Sequence, residues 1–191
     1  MDSRETKARL REESLRRRDA LTEDHRIETA LTLAGFADRL GIEPGMVVSG
    51  FLPIRSEIDA RPLMAALRER GTTLCLPAVV SKTEIVFRRF ERTGDLVPAG
   101  FGTVAPPPDA AVLDPIAMLV PLACFDARGH RIGYGAGYYD RAIARLTGLG
   151  IVPRLIGLAF DCQQVDAVPD EPHDRPLDAI LTEGGLHGFP L

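Results

Sequence analysis

Lysine is nearly missing from this chain of 191 residues. Of its 23 basic residues only Lys7 and Lys82 are lysines; the rest are arginine. So strong a skew reflects nucleotide bias in the genome, and it adds a little weight to a lysine at a working position. Cysteine is scarce as well. Cys75, Cys124 and Cys162 are odd in number and widely spaced, which excludes a disulfide framework and a metal knuckle. Each stands in an apolar segment, as buried thiols of a reducing compartment do. No apolar run reaches the roughly 18 residues of a membrane-spanning helix. The charged N-terminus lacks the apolar stretch of a signal peptide, so the cytoplasm is the expected compartment. Excess positive charge is also absent. The 27 acidic residues outnumber the basic ones and the net charge is -4, which argues against general nucleic-acid binding but not against one phosphate held by loop amides. Gly-Lys-Ser/Thr occurs nowhere, so there is no P-loop.

What is present is an ordinary globular mix, 45% hydrophobic and 26% charged. The length fits one domain over residues 1–191. Such a domain buries roughly 70% of its unfolded-chain surface and needs no zinc or disulfide staple.

Residues 3–20 are charged helix formers with Leu10, Leu15 and Leu21 as a narrow apolar stripe, and Asp2 with Glu5 reads as a capping box. Thr22 caps a second helix, in which Ile27, Ala30, Leu31, Ala34 and Leu40 keep helical spacing as far as Gly41. Met46–Phe51 is an apolar strand buried on both faces. After the loop Pro53–Asp59, Asp59 caps a helix with Pro62 in its first turn and Gly71 at its end. Thr72–Leu76 is a strand stopped by Pro77, and Glu84–Phe90 is an alternating strand. Residues 92–115, stiffened by Pro106-Pro107-Pro108, read as a long surface loop with room for one short strand. Ala117–Pro121 is a central strand, Asp140–Leu149 a helix, and Leu155–Phe160 and Asp178–Leu181 are further strands joined by the polar loop Asp161–Leu177. This alternation predicts an α/β protein with an open, mostly parallel sheet and helices on both faces. Its ligands belong beyond the carboxyl ends of the strands.

The run Arg131-Ile132-Gly133-Tyr134-Gly135-Ala136-Gly137-Tyr138-Tyr139-Asp140 is the most informative stretch. Its glycines step by two, and the position five after Gly133 is Tyr138, so it is not the dinucleotide fingerprint. A tight turn alone rarely needs three alternating glycines, because each is costly in chain entropy. A main chain without Cβ atoms can come close to a ligand and aim several N–H groups at it, which suits a phosphate. Asp140 suits a divalent cation such as magnesium, or the cap of the helix that follows. Asp174, in His173-Asp174-Arg175-Pro176, falls at the same sheet edge, as a second cation ligand or a turn carboxylate. Lys7 and Arg11 share one helix face, Arg18 continues it, and helix pattern alone reads that face as a solvated basic stripe. Glu57 reads by itself as a surface acid ahead of a helix. The four histidines show no ligand spacing, and no Ser–His–Asp grouping follows from their order.

The segment from Val120-Pro121-Leu122-Ala123-Cys124-Phe125-Asp126 through Arg128-Gly129-His130 to Asp140 closely resembles the signature of the 5-formyltetrahydrofolate cyclo-ligase family. Lys7 with Arg11, Glu57-Ile58-Asp59 and His173-Asp174 agree with it in order and spacing, so the likeness spans nearly the whole chain. It implies a three-layer αβα sandwich. It also implies ATP- and magnesium-dependent cyclisation of 5-formyltetrahydrofolate to 5,10-methenyltetrahydrofolate, with ADP and phosphate released. By the same likeness Lys7, Arg11, Arg131, Ile132, Gly133, Tyr134, Gly135, Ala136, Gly137, Tyr138 and Tyr139 bind ATP. Leu52, Glu57 and Tyr134 to Tyr138 touch the folate, and Asp140 and Asp174 hold magnesium. Ala136 stands where many members have Lys or Gly, leaving backbone amides to meet the phosphates, and Ala105 stands where many have Glu. Two other readings compete: a folate- or nucleotide-binding protein without turnover, and a sugar-phosphate isomerase or CoA-transferase relative without ATP cleavage. Neither non-ATP reading gives the Lys7 helix a task. The expected partners are small molecules, with no nucleic acid and no membrane, and the chain acts as a monomer or homodimer.

Overall fold

The computed structural model describes residues 3–99, 103–171 and 174–189. Asp2 of the expected capping box lies outside the described residues, as does His173. Helix α1 (Ser3–Asp19) is followed by α2 (Glu23–Ala34), which starts where expected: the Thr22 hydroxyl accepts the His25 N–H at 3.2 Å. It ends at Gly35 and not at Gly41. Ala37–Arg39 is a 3₁₀ turn, whose near-helical spacing keeps Leu40 in the core and makes the apolar pattern outrun the helix.

Next come strand β1 (Val47–Ser49), α3 (Arg61–Glu69), β2 (Thr73–Val79) and β3 (Ile85–Arg89). Ala60 occupies the boundary of α3, and Asp59 serves it from one residue further out, its carboxylate accepting the Arg61 N–H at 2.9 Å. Strand β2 runs straight through Pro77 instead of stopping there. Cys75 turns its carbonyl toward the Gly50 N–H, on the β1 side, and residue 77 shares that side. The pairing of β1 with β2 ends at Ser49 and Cys75, so the N–H that proline lacks would meet no strand.

The expected loop at 92–115 contains β4 (Val97–Pro98) and β5 (Val104–Ala105), paired with each other, and β6 (Val112–Leu113), which extends the main sheet beyond β3. The rest of the chain forms β7 (Ala117–Pro121), the paired β8 (Cys124–Phe125) and β9 (Arg131–Ile132), α4 (Tyr138–Gly148), β10 (Arg154–Leu158), β11 (Ala179–Thr182) and β12 (Gly185–Gly188).

Eight strands form the main sheet in the order β12-β11-β10-β7-β1-β2-β3-β6. The five from β11 to β2 are parallel, and the pairings at both margins are antiparallel. Alternation along the strands splits the core in two. Leu119 and Ile156 face Leu33 of α2 and Leu63 and Leu67 of α3. Met118, Val120 and Leu155 face Ile143 and Leu146 of α4 on the other side. The result is a three-layer αβα sandwich, in which each fully buried leucine contributes about 2 kcal/mol relative to an exposed one.

The chain crosses from β1 to β2 through α3 on one face and from β7 to β10 through α4 on the other. Strands β1 and β7 are neighbours, so they form the switch point of the sheet and a crevice opens at their carboxyl ends. Gly50, just past β1, is required there: a Cβ on it would stand 1.9 Å from the Met64 sulfur of α3. Among the described residues no helix is long and apolar enough to cross a membrane.

Candidate active site

A cleft of about 650 Å³ occupies this crevice. One half is charged, with Lys7 and Arg11 of α1, Arg131, Asp140 and Asp174 around the glycine run. The other half is largely apolar, with Phe51, Leu52 and Ile54 after β1, Val79 at the end of β2 and Val104 of the β4–β5 pair. Sequence reasoning passed over Ile54, Val79 and Val104, which are 52%, 57% and 45% exposed. Exposed β-branched residues in strands and loops carry no signal until three segments bring them to one rim. Ala105, buried behind Val104, is also part of the wall.

The glycine run stands on a rigid base. Asp126, fully buried in the turn between β8 and β9, accepts the N–H groups of Arg128, His130 and Val168 at 2.9, 3.1 and 2.9 Å. Burial alone would raise its pKa, but the bonds from Val168, Arg128 and His130 outweigh it and hold the carboxyl below its ordinary range. Past β9 the chain takes positive φ at Gly135 (95°) and Gly137 (66°), a region L side chains rarely adopt. The N–H groups of residues 133–137 donate to no main-chain carbonyl among the described residues. Arg11 lies alongside, its Nε donating to the Gly133 carbonyl at 2.7 Å. Helix α4 starts at Tyr138, with Gly137 at its boundary. Asp140 therefore sits inside the first turn and does not cap the helix, and the positive end of α4 faces the loop.

Around Arg131 the charges interlock. Its side chain, 8% exposed, donates to Asp140 Oδ1 and to the Arg175 carbonyl, both at 2.7 Å. Burial lowers its pKa, and the charges of Asp140 and Asp174 oppose the shift. The Lys7 ammonium lies 3.4 Å from Asp174 and 3.8 Å from Glu171. The fold thus brings Asp140 into contact with the Arg131 guanidinium and Asp174, distant in sequence, within its electrostatic reach. Among the described residues no group of three or more His, Cys, Asp or Glu could cage a metal. Two carboxylates beside an amide-lined loop do fit magnesium, which takes one or two carboxylates and completes its shell with phosphate oxygens and water.

Glu57 lies at the apolar end. Its carboxylate, nearly buried, accepts the Ile54 N–H at 2.8 Å, and the Tyr134 hydroxyl lies near enough to act on its titration. Burial raises its pKa; Tyr134, the Ile54 amide and the charge of Arg18 pull against that rise. All three tyrosines of the chain lie in the glycine run. The Tyr139 hydroxyl is buried on the cleft wall without a hydrogen-bond partner among the described residues, and burial pushes its pKa up. Helix α1 docks by a polar face. Its buried residues are Ser14 and Arg18, which with Lys7 and Arg11 form one stripe turned toward the body of the protein. The leucine stripe is only half-buried, and the basic stripe does not face solvent as helix pattern alone suggested.

Fold and cleft define a class: an α/β protein with a charged cleft at the carboxyl edge of its sheet. Comparison with known proteins narrows it. The 5-formyltetrahydrofolate cyclo-ligase family matches residues 3–183. The 5-formyltetrahydrofolate cyclo-ligases of Mycolicibacterium smegmatis and Escherichia coli are each 31% identical to it, over 93% of this chain and 93% of the first, and over 87% of this chain and 94% of the second. The solved 5,10-methenyltetrahydrofolate synthetase of Aquifex aeolicus superposes with a TM-score of 0.81 at 26% identity, covering 97% of this chain and 93% of that one. The chain belongs to the 5-formyltetrahydrofolate cyclo-ligase family and is an ATP-using ligase of folate metabolism.

Proposed function

We propose that the two halves of the cleft hold the two substrates of one cyclisation. ATP lays its phosphates along residues 131–139, flanked by Lys7 and Arg11. The reduced pterin of 5-formyltetrahydrofolate enters the apolar half, between Leu52, Glu57 and the segment Tyr134 to Tyr138, with Phe51 behind it. The observation that carries this reading is the row of N–H groups at 133–137 that meet no main-chain carbonyl among the described residues, set between a buried arginine and two carboxylates.

The chemistry needs this arrangement. A formamide carbon is a poor electrophile because the N5 lone pair is delocalised into it. Attack of the formyl oxygen on the γ-phosphorus releases ADP and turns that oxygen into a leaving group. N10 then adds to the carbon, inorganic phosphate departs carrying the N10 proton, and the methenyl cation results. Phosphoryl transfer asks of the protein mainly positioning and charge neutralisation. Arg131, Lys7, Arg11 and the loop amides supply both, and the apolar wall excludes water from the phosphorylated intermediate. Asp140 and Asp174 would hold magnesium, which when bound neutralises phosphate charge. Arg131 and Lys7 pair with these carboxylates, so nucleotide and cation enter by exchanging partners with existing ion pairs. The buried thiols Cys75 and Cys124 accord with a cytoplasmic enzyme acting as one domain, monomeric or homodimeric, on small molecules.

The test is direct. The purified protein is given 5-formyltetrahydrofolate with ATP and magnesium, and the methenyl product is followed by its absorbance. Product is expected only with all three present. Product formed without ATP would remove the mechanism, and tight folate binding without product would mark a binding protein.

A further inference from the structure

Helix α1 buries a guanidinium just behind the cleft. Arg18 is 2% exposed, whereas Arg16 and Arg17 beside it are exposed. A buried charge is costly unless it is paired and hydrogen-bonded, and Arg18 is hydrogen-bonded, with the charge of Glu57 within electrostatic reach. Its Nε donates to the Ser56 hydroxyl at 3.0 Å and its Nη1 to the Tyr134 hydroxyl at 2.5 Å, while Cζ lies 5.7 Å from the centre of the Tyr134 ring. Ser56 in turn donates to Asp19, and the Tyr134 hydroxyl and the Glu57 carboxylate lie close enough to shift one another's titration. One side chain therefore ties α1 to the loop after β1 and to the glycine run. It does not line the main cleft. It borders a small gap behind it, shared with Phe51 and Glu57. The Tyr134 residue is 46% exposed, so packing holds its ring weakly and the bonds at its hydroxyl set its direction.

We propose that Arg18 is a positioning residue for the folate half of the site, fixing the Tyr134 ring and the Glu57 carboxylate in register and so governing folate affinity without touching ATP. The inference rests on the reading that Glu57 and Tyr134 contact the folate. The groups facing Glu57 are Arg18 from α1, Tyr134 from the glycine run, Tyr139 from α4 and the Ile54 amide of its own loop. Burial raises the Glu57 pKa and Arg18 draws it down. Loss of Arg18 lets it climb further, so the acid limb of folate binding moves to higher pH.

The full-length protein carrying Arg18→Met is compared with the parent, varying each substrate in turn and following folate binding across the acid range. The expected result is a folate KM raised about tenfold, the scale of a lost hydrogen bond to a charged group, with the ATP KM changed less than about twofold and the acid limb shifted upward. Arg18→Lys recovers only part of the loss, because an ammonium lacks the fork that reaches Ser56 and Tyr134 together. Equal rises in both constants, an unchanged folate KM, or an acid limb left in place overturns the assignment. Should Arg18→Met fail to fold, Arg18→Lys combined with Tyr134→Phe decides: losses smaller together than the sum of the single ones support it, and additive losses overturn it. Glu57→Gln separates the two layers. Parental folate affinity in Glu57→Gln ends the folate reading and this inference with it. Loss of affinity there, with none in Arg18→Met, ends this inference alone.

Discussion

At the scale of single residues, Glu57 sets function against stability. Its pKa is raised in the folded protein, so its contribution to stability is complete below the unfolded value and fades as pH rises through the folded one. Ionised Glu57 therefore costs stability at neutral pH. Glu57→Gln is expected to raise the melting temperature there, to lose that advantage in acid, and to weaken folate binding; calorimetry at several pH values checks it, and a lower melting temperature at neutral pH contradicts it. Asp140 behaves differently. It is 69% exposed and holds only Arg131 among the bonds described, an ion pair worth at most about 1 kcal/mol. Asp140→Ala should leave the circular dichroism and melting curve nearly unchanged while turnover falls by about a hundredfold or more; turnover at the parental rate would refute its role. Lys7, Arg11, Asp140 and Asp174 were visible in the sequence as residues, and strand order put both aspartates at one sheet edge, but the arrival of Lys7 and Arg11 there was not legible in helix pattern, because it depends on which face of α1 docks. A face of Lys, Arg, Ser and Arg reads as solvated until the loop hydroxyls and carbonyls that receive it are known.

At the scale of elements, long periodic segments were legible. The strand cores at Val47–Ser49, Ala117–Pro121 and Arg154–Leu158 and the helices α1, α3 and α4 fall where apolar spacing puts them to within about two residues, although α3 is bounded by Ala60 and α4 starts before Asp140. Two-residue strands such as β5, β8 and β9 are too short to carry a period, and β12 reads as a glycine-rich polar end. Pro77 misled because proline breaks a ladder only on the side its nitrogen faces. The glycine run was legible because backbone freedom is written directly in sequence. Gly135 has φ 95°, and a β-branched side chain cannot follow that path without strain. Gly135→Val is expected to raise the ATP KM more than the folate KM in steady-state kinetics. An unchanged ATP KM would count against the amide cradle.

At the scale of the whole molecule, sequence order predicted the parallel centre of the sheet but not its antiparallel margins, since β3 and β12 are fixed by short turns and not by crossover helices. The switch point between β1 and β7 explains why segments from residues 7, 57, 131 and 174 converge on one edge. It also places both carboxylates against cations of the same chain. Magnesium alone should therefore bind weakly, and nucleotide should strengthen it, with the reciprocal gain that linkage demands. Titration calorimetry of each ligand with and without the other is expected to show this mutual gain; equal magnesium affinity in both cases contradicts it.

The most direct measurement is a crystal structure with a non-hydrolysable ATP analogue and magnesium. The phosphates are expected along the amides of residues 133–137, with the metal between them, Asp140 and Asp174, and with Arg131 and Lys7 turned from the carboxylates to the phosphates. A triphosphate lodged away from residues 131–140 would contradict the account.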